Sequence, residues 1–434
     1  MKLLVFAHTP PPHHGQSYMV QLTLAGFGGD HRKRRRNFVP RTPSGDVHGI
    51  ECYHVNNRLS KHLEDIGEFH GTKLFLLIGH CLEAIWCRFR YGVTNFYYIP
   101  APGKRSALYR DWMVMLFCRP FFKTLILHWH AAGLAKWLET SVLMRTRALT
   151  YYFLKQVNLS IVLSNYNRPD AEKLFPRRVG VVGNGIPDPC PDFEQSVLPR
   201  RRARSAARQK ILAGQALAPS GLEGTGGDPH LFRVLFLAHC TREKGLFDTI
   251  EGVALANAQL ARDHSPVRVH LTVAGEFIAA AEQVEFEERI GRADLRGAEG
   301  QPLAGYIGFA AGEAKRSAFA TSDCFCFPTY YYAESFGLVV LEAMAFGLPI
   351  VASRWRTIPE LMPPGHAGLI PPREPSKIAA ALLKFIPQPE FESLRDHFLR
   401  HFTIEQYLTS LARALHSVEQ PETEASLTPL PRAS

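Results

Sequence analysis

Cysteine is sparse and unpatterned here: eight Cys among 434 residues, with no C-x-x-C pair. Neither a disulfide framework nor a zinc ribbon fits that usage. No apolar run reaches the ~18 residues that a membrane-spanning helix needs. The opening stretch MKLLVFAHTPP has one Lys and a short apolar core before proline begins, so it reads as a first strand and not as a secretory signal. Charged residues are also modest, 21% of the chain against a usual ~25%, while a hydrophobic fraction of 46% excludes wholesale disorder. There is no D-x-D motif and no His/Cys spacing of a zinc site, so neither a metal nor a further cofactor is implied. These absences leave a folded, reduced, cytoplasmic protein.

What the chain has is length and positive charge. At ~150 residues per domain, 434 residues suggest two or three domains. A formal charge of +10 favours anionic partners, which are nucleic acid, an anionic membrane face or a phosphorylated substrate. Short apolar runs recur, separated in several places by helical patterns: 2–7, Leu74–Gly79, Asn95–Ile99, Thr124–His128, Leu159–Leu163 and Gly180–Val182. A second series runs Arg233–Ala238, Val269–Ala274, Gly305–Gly308, Cys324–Pro328 and Leu348–Ala352. Strands alternating with helices predict parallel sheets covered on both faces, hence two α/β units in tandem. Between them, 188–230 is rich in Pro and Gly and contains RRRARSAARQK, which reads as a linker or surface insertion. Helical periodicity over 389–418 precedes a Pro/Thr/Ser tail that frays.

The chemistry concentrates in FPTYYYAESFGLVVLEAMAFGLPIVAS, Phe327–Ser353. A strand ends at Pro328, a polar-aromatic loop follows, and a helix begins near Phe336. A helix N-terminus after a strand presents free backbone N–H groups and a positive dipole end, which suits a phosphate. Glu334 and Glu342 stand at E-x7-E spacing, and eight helical residues span about 12 Å. The two carboxylates therefore cannot share one proton or one metal. Either they hold two separated hydroxyl-bearing groups of an elongated ligand, or they are a loop Glu and a solvated helix Glu.

The segment Glu334–Ser353 resembles the signature of the retaining, nucleotide-sugar-dependent glycosyltransferases of family four. Other segments resemble that family in register: Val181–Ile186 (VVGNGI), Val234–Leu237 followed by Arg242-Glu243-Lys244-Gly245, Val273–Glu276 (VAGE), Ile358-Pro359-Glu360 and Gly365–Leu369. The resemblance implies a GT-B α/β fold, two Rossmann-like domains facing across a cleft, with a C-terminal helix returning to the N-terminal domain. Residues 1–187 would bind the acceptor, 188–230 would link, 231–388 would bind the nucleotide sugar, and 389–434 would form the closing helix and tail.

Roles follow from the same resemblance. Glu342 would hold the ribose hydroxyls of a UDP- or GDP-sugar, and Glu334 the transferred hexosyl group. Backbone amides of Phe336, Gly337 and Leu338 would hold the diphosphate and sugar, with Lys244 neutralising the diphosphate. The family's phosphate Arg, five residues before that Lys, is replaced: the chain reads Ala238-His239 there, so either His239 or Arg242 takes the position. In the N-terminal domain, Leu127–Gly133 (LHWHAAG) resembles the family's strand end with a His at the reaction centre, which falls on His130; the alternative is a structural histidine. Pro10–Gln16, with Gly15, matches the loop after the first strand. The implied reaction is same-face attack by an acceptor hydroxyl, with retention of anomeric configuration.

The basic run Arg32–Arg36 and the mixed basic and apolar segment 110–123 raise a peripheral contact with an anionic membrane; for 110–123 the alternative is an ordinary buried helix and strand edge. The resemblance favours a glycan or lipid-linked acceptor and a role in cell-surface polysaccharide or glycoconjugate biosynthesis. Two other classes compete: a non-catalytic nucleotide-sugar-binding scaffold of the same fold, and a nucleic-acid binder. The last rests on charge alone, without a stacking motif or zinc-finger spacing.

Overall fold

The computed structural model describes residues 1–420 except 12–13, 35–47, 59–70, 101–102, 218–221, 298–299 and 388–390. The chain divides into two units, one comprising Met1–Gly185 with the segment from Ile404 onward, the other Ile186–Thr403. The first holds a parallel sheet of β1 (Lys2–Phe6), β2 (Glu51–Val55), β3 (Asn95–Tyr98), β4 (Thr124–Trp129), β5 (Leu159–Val162) and β6 (Val179–Val181), in the order β2-β1-β3-β4-β5-β6. Strands such as NFYY in β3 are buried along their whole length, as a parallel sheet covered on both faces requires.

Two differences from the sequence expectation have physical causes. Leu74–Gly79, read as a strand, lies inside the helix Gly71–Tyr91. Leu77, Cys81, Ala84 and Cys87 are its buried residues, and their spacing of three or four makes one helical stripe that a six-residue window cannot reveal. The unexpected strand is β2, ECYHV, which carries a buried His54. It tolerates burial because its Nε2 meets the Ala7 carbonyl at 2.8 Å.

The helix Ile404–His416 belongs to the first unit. Tyr407 meets Thr23 of the helix Gly15–Gly26 through an O···O contact of 2.8 Å, beside the buried Leu411 and Leu415. The basic run begins with an unexposed residue: Arg32 pairs with Asp30 at 3.1 Å and with Glu83 at 2.6 Å. Arg35 and Arg36 lie outside the described residues, as does the tail 421–434. The segment 110–123 is mostly a helix end, Arg105–Cys118, that buries Val114, Met115 and Cys118. No helix among the described residues is long and apolar enough to cross a membrane.

The second unit repeats the scheme with β7 (Leu231–Leu237), β8 (Arg268–Ala274), β9 (Ala304–Tyr306), β10 (Cys324–Phe327), β11 (Ile350–Ser353) and β12 (Leu369–Ile370), all parallel in the order β12-β11-β10-β7-β8-β9. Residues 188–230 are no free linker. They fall within this unit, and Leu198–Leu212 is a helix. Arg201, Arg204 and Arg208, spaced three and four apart, share one face of it and are buried. Composition alone made this stretch look solvated, but its arginines find partners inside. Arg204 and Arg208 clamp the carboxylate of Asp323 at 2.7 and 2.8 Å. Burial pushes the Asp323 carboxyl up, and the two guanidinia outweigh it, so the net shift is downward. Arg201 donates instead to the carbonyls of Phe319 at 2.7 Å and Ser322 at 3.0 Å, and to that of Phe346.

Asp323→Ala would leave two buried guanidinia without their anion. Breaking such a pair costs about 3–5 kcal/mol, so the unfolding transition of the second unit, followed by urea denaturation, should shift to markedly lower urea. An unchanged midpoint would show that Arg204 and Arg208 are satisfied without it.

Candidate functional site

Ligands of open parallel sheets bind beyond the carboxyl ends of strands, where the strand order reverses. In the second sheet that reversal lies between β7 and β10. After β7 the chain makes the tight turn Arg242–Lys244 and enters the helix Leu246–Arg262 through Gly245, at φ +84°. A Cβ at Gly245 would stand 2.5 Å from the Pro328 carbonyl oxygen, so only glycine lets this turn press against the chain leaving β10. Tyr330 N–H donates to the Glu243 carbonyl at 2.8 Å and ties the two loops together.

That approach delivers Lys244 to Glu334. The ammonium donates to Oε2 at 2.7 Å, Thr329 Oγ1 donates to the same oxygen at 3.4 Å, and the Tyr331 ring lies 4.6 Å from the ammonium. Glu334 is buried and Lys244 keeps partial access to solvent. Two residues drawn from separate motifs, 90 positions apart, thus meet as an ion pair at the strand reversal.

The helix of the signature runs Leu338–Ala345 with Gly337 as its N-cap at φ +81°. It starts two residues later than the sequence suggests, because Phe336 is buried as an anchor beside Phe402, with ring centroids 6.4 Å apart. The first N–H groups of a helix lack carbonyl partners within it, and here Val340 N–H turns back to the Gly337 carbonyl at 2.9 Å. Glu342 does not share the Glu334 environment. Lys315, from the helix Gly312–Thr321, donates to its Oε1 at 2.6 Å. Its Oε2 is sealed from solvent with no hydrogen-bond partner among the described residues. Burial pushes the Glu342 carboxyl up, against the pull of Lys315. Each carboxylate of the E-x7-E pair thus has its own lysine.

The two substitutes for a phosphate arginine are placed differently. Arg242 turns to Glu285, an ion pair, and lies over the Phe247 ring at 4.6 Å. His239 is exposed. Partial desolvation, then the charge of nearby Lys244, holds its imidazolium below the usual range. His239 shares the field of Lys244, whereas Arg242 is engaged with another partner.

In the first unit the strand order reverses between β1 and β3, and histidines gather at the strand ends there. His14 caps the helix Gly15–Gly26 next to Gly15, its Nδ1 accepting from Ser17 N–H at 3.3 Å. Its proton therefore sits on Nε2, which meets His8 Nε2 at 2.8 Å. His130, just after β4, is buried, its ring 4.3 Å from that of His128. His128 in turn bonds to the Tyr97 hydroxyl through Nδ1, while its Nε2 has no partner among the described residues. Beyond them, Asp170 accepts from the N–H groups of Gly133 and Ala135, each at 2.7 Å, fixing the turn after His130. The sequence reading missed Lys315, Thr329, His8, His14 and Asp170. Only His14 carried a local signal, as the polar residue before the helix.

Residues 232–388 match the family described as Glycosyl transferases group 1. This group 1 region contains His239, Arg242, Lys244, Lys315, Glu334 and Glu342, whereas Gly15 and His130 lie outside it. Over 90 residues the chain is 32% identical to O-antigen chain mannosyltransferase B of Escherichia coli, covering 20% of this chain and 23% of that protein. Over 111 residues it is 34% identical to Phosphatidyl-myo-inositol mannosyltransferase of Mycolicibacterium smegmatis, 24% of this chain and 28% of that one. The chain thus aligns with only a limited part of either relative. Among solved structures, Anabaena Alr3699/HepE in complex with UDP and glucose superposes with a TM-score of 0.58 at 16% identity, over 95% of this chain and 99% of that chain. The fold is therefore GT-B, as the signature implied.

The histidine cluster sets an acid limit. Burial, then the charges of His14, Arg110 and His54, lowers His8 to about 4; burial, then His14, lowers His130 to about 3. Unfolded, both titrate near ~6.5, so the unfolded chain binds more protons between these values. Their contribution is complete above pH ~6.5 and is lost as pH falls toward 4. The thermal midpoint of the first unit should fall across that window, and His8→Gln should reduce the fall. A midpoint independent of pH between 7 and 4 would contradict neutral buried histidines.

Proposed function

We propose that the protein is a metal-independent, retaining glycosyltransferase of family four. It moves a hexosyl group from a UDP- or GDP-sugar to a hydroxyl of a glycan or lipid-linked acceptor, in cell-surface polysaccharide or glycoconjugate biosynthesis at the cytoplasmic side of the membrane. The observation that carries this reading is the Lys244–Glu334 pair at the strand reversal, beside the N-terminus of the signature helix. Two mannosyltransferase relatives and a GT-B neighbour solved with UDP and glucose support a nucleotide-sugar donor.

In this reading the second unit takes the donor and the first the acceptor. Lys244 and the amides of Phe336, Gly337 and Leu338 stabilise charge developing on the leaving diphosphate, the preorganised electrostatics that dominate many enzymes. Donor binding draws Lys244 toward phosphate and frees Glu334 for a sugar hydroxyl, while Glu342 receives the ribose. His239, within the field of Lys244, is the phosphate donor in place of the family arginine, and Arg242 serves the loop. His130, neutral and buried, offers a hydrogen bond to the transferred sugar, and Gly15 lets the loop beside it approach the ligand. The acceptor hydroxyl attacks the anomeric carbon on the face the diphosphate leaves, and its proton passes to the departing phosphate oxygen.

A membrane-side acceptor accords with the helix Gly71–Tyr91, whose Phe75, Leu82, Trp86 and Phe89 are exposed on one face near exposed Arg90. Trp86→Glu with Phe89→Glu should release the protein from vesicles containing phosphatidylglycerol; equal binding of both forms would remove the membrane from this proposal.

Glu342→Ala should weaken nucleoside diphosphate binding, by about 1.5–3 kcal/mol for hydrogen bonds to a charged group. Glu334→Ala should spare that affinity and lower turnover. Calorimetric titration with UDP and GDP, beside initial rates, separates the two, and equal loss of affinity in both variants would break the assignment. Activity should persist in excess EDTA with the donor's anomeric configuration kept; chelator-sensitive turnover or an inverted product by NMR would overturn the mechanism.

A further inference from the structure

Lys315 belongs to none of the sequence motifs, yet it makes the only hydrogen bond to the Glu342 carboxylate among the described residues. We propose that Lys315 is a positioning residue for the nucleotide: it fixes the Glu342 carboxylate by one oxygen and leaves the other, which has no protein donor among the described residues, as the acceptor for a hydroxyl of the nucleoside. This rests on the nucleotide-sugar reading of the site.

The geometry is specific. Lys315 Nζ lies 2.6 Å from Oε1, and Oε2 is buried with no donor among the described residues. A buried carboxylate oxygen left without a donor is costly, and a hydroxyl of the ligand would remove that cost. The carboxylate cannot easily turn to find another partner. Its neighbours Leu341 and Ala343 are fully buried, and the end of its helix is held by Arg395, which donates to the Ala345 carbonyl at 2.8 Å. Arg201 donates both to Phe346, the C-cap of that helix, and to Phe319 of the helix that carries Lys315. One guanidinium therefore fixes the two helices whose side chains meet at Lys315 and Glu342. The neighbouring Arg316 does not compete, being paired with Asp192 at 2.7 Å. Lys315 also opposes protonation of a burdened acid: burial pushes the Glu342 carboxyl up, and the ammonium pulls it part of the way back.

The test is calorimetric titration of the full chain with whichever of UDP and GDP the wild type binds, and with the 2′,3′-dideoxy analogue of that nucleotide. Lys315→Met should lower affinity for the ordinary nucleotide about tenfold, a change of about 1.4 kcal/mol, and leave affinity for the dideoxy analogue as it was. Lys315→Arg should recover most of the loss. In a Glu342→Gln background, Lys315→Met should change nothing further. Equal loss for both nucleotides, or a loss that persists in the Glu342→Gln background, would show that Lys315 touches the ligand directly and overturn the proposal. Wild-type affinity in a Lys315→Met protein with unchanged melting would overturn it too, leaving the nucleotide-sugar reading intact. A wild type that binds neither UDP nor GDP would bring down that reading, and this inference with it.

Discussion

The second unit depends on a set of guanidinium groups that water does not reach. Arg201, Arg204 and Arg208 project from one face of the helix Leu198–Leu212 into a space bounded by the start of β10 and the ends of two helices. Desolvating three such cations is unfavourable, and burial lowers Arg201 to about 9. The cost is met by geometry: five donors per guanidinium in a planar fork, set against one carboxylate and several carbonyls at helix ends, where the backbone dipole is negative. Asp323 extends the cluster into the sheet. Its carboxylate accepts from Arg233 N–H at 3.0 Å while its own N–H donates to the Arg233 carbonyl at 2.8 Å. Strands β7 and β10 are thus locked at their beginnings, and the loops at their far ends can meet as Lys244 and Glu334 do.

The first unit solves a similar problem with neutral groups. Its strand ends carry His8, His128 and His130, whose pKa values all lie below the ordinary range because of burial. A chain of uncharged imidazoles is compatible with a dry pocket and can donate and accept at once. Lysine could do neither. The second unit instead keeps a permanent charge, the Lys244 ammonium, where the proposed function puts the leaving diphosphate. Under the proposed function, that contrast matches a division of labour in which one unit recognises a diphosphate and the other hydroxyl-rich groups.

Much of the architecture could be read in the residues. The buried runs of β1, β3, β4, β5 and β10 are short and nearly continuous, while β7 and β8 interleave buried apolar residues with half-buried ones, and parallel strands need no more than that to be visible. Two strands escaped: β2 is interrupted by a histidine that a distant carbonyl satisfies, and β12 is two residues long. The helix of 188–230 was hidden because its buried face carries three arginines among its few apolar residues, and side-chain chemistry alone does not say whether an arginine faces solvent or a ring of carbonyls. In the site, the signature and the Lys-Gly turn were legible as motifs. That Lys244 would sit on Glu334 is a contact across 90 positions, set by a glycine against the Pro328 carbonyl. Lys315 carried no motif, since its meaning comes only from the helix opposite.

The chain path also orders how the molecule is made. Ile186–Thr403 is continuous, whereas the first unit begins at Met1 and is completed only by the helix Ile404–His416. During synthesis the second unit has every one of its strands and its arginine helix before the ribosome reaches residue 404. The first unit waits, with Thr23 and the surface beneath Leu411 uncovered, until Tyr407 arrives. The earlier-made unit is therefore the last to be finished. Its exposed apolar surface is the part of the nascent protein that a chaperone would meet for longest.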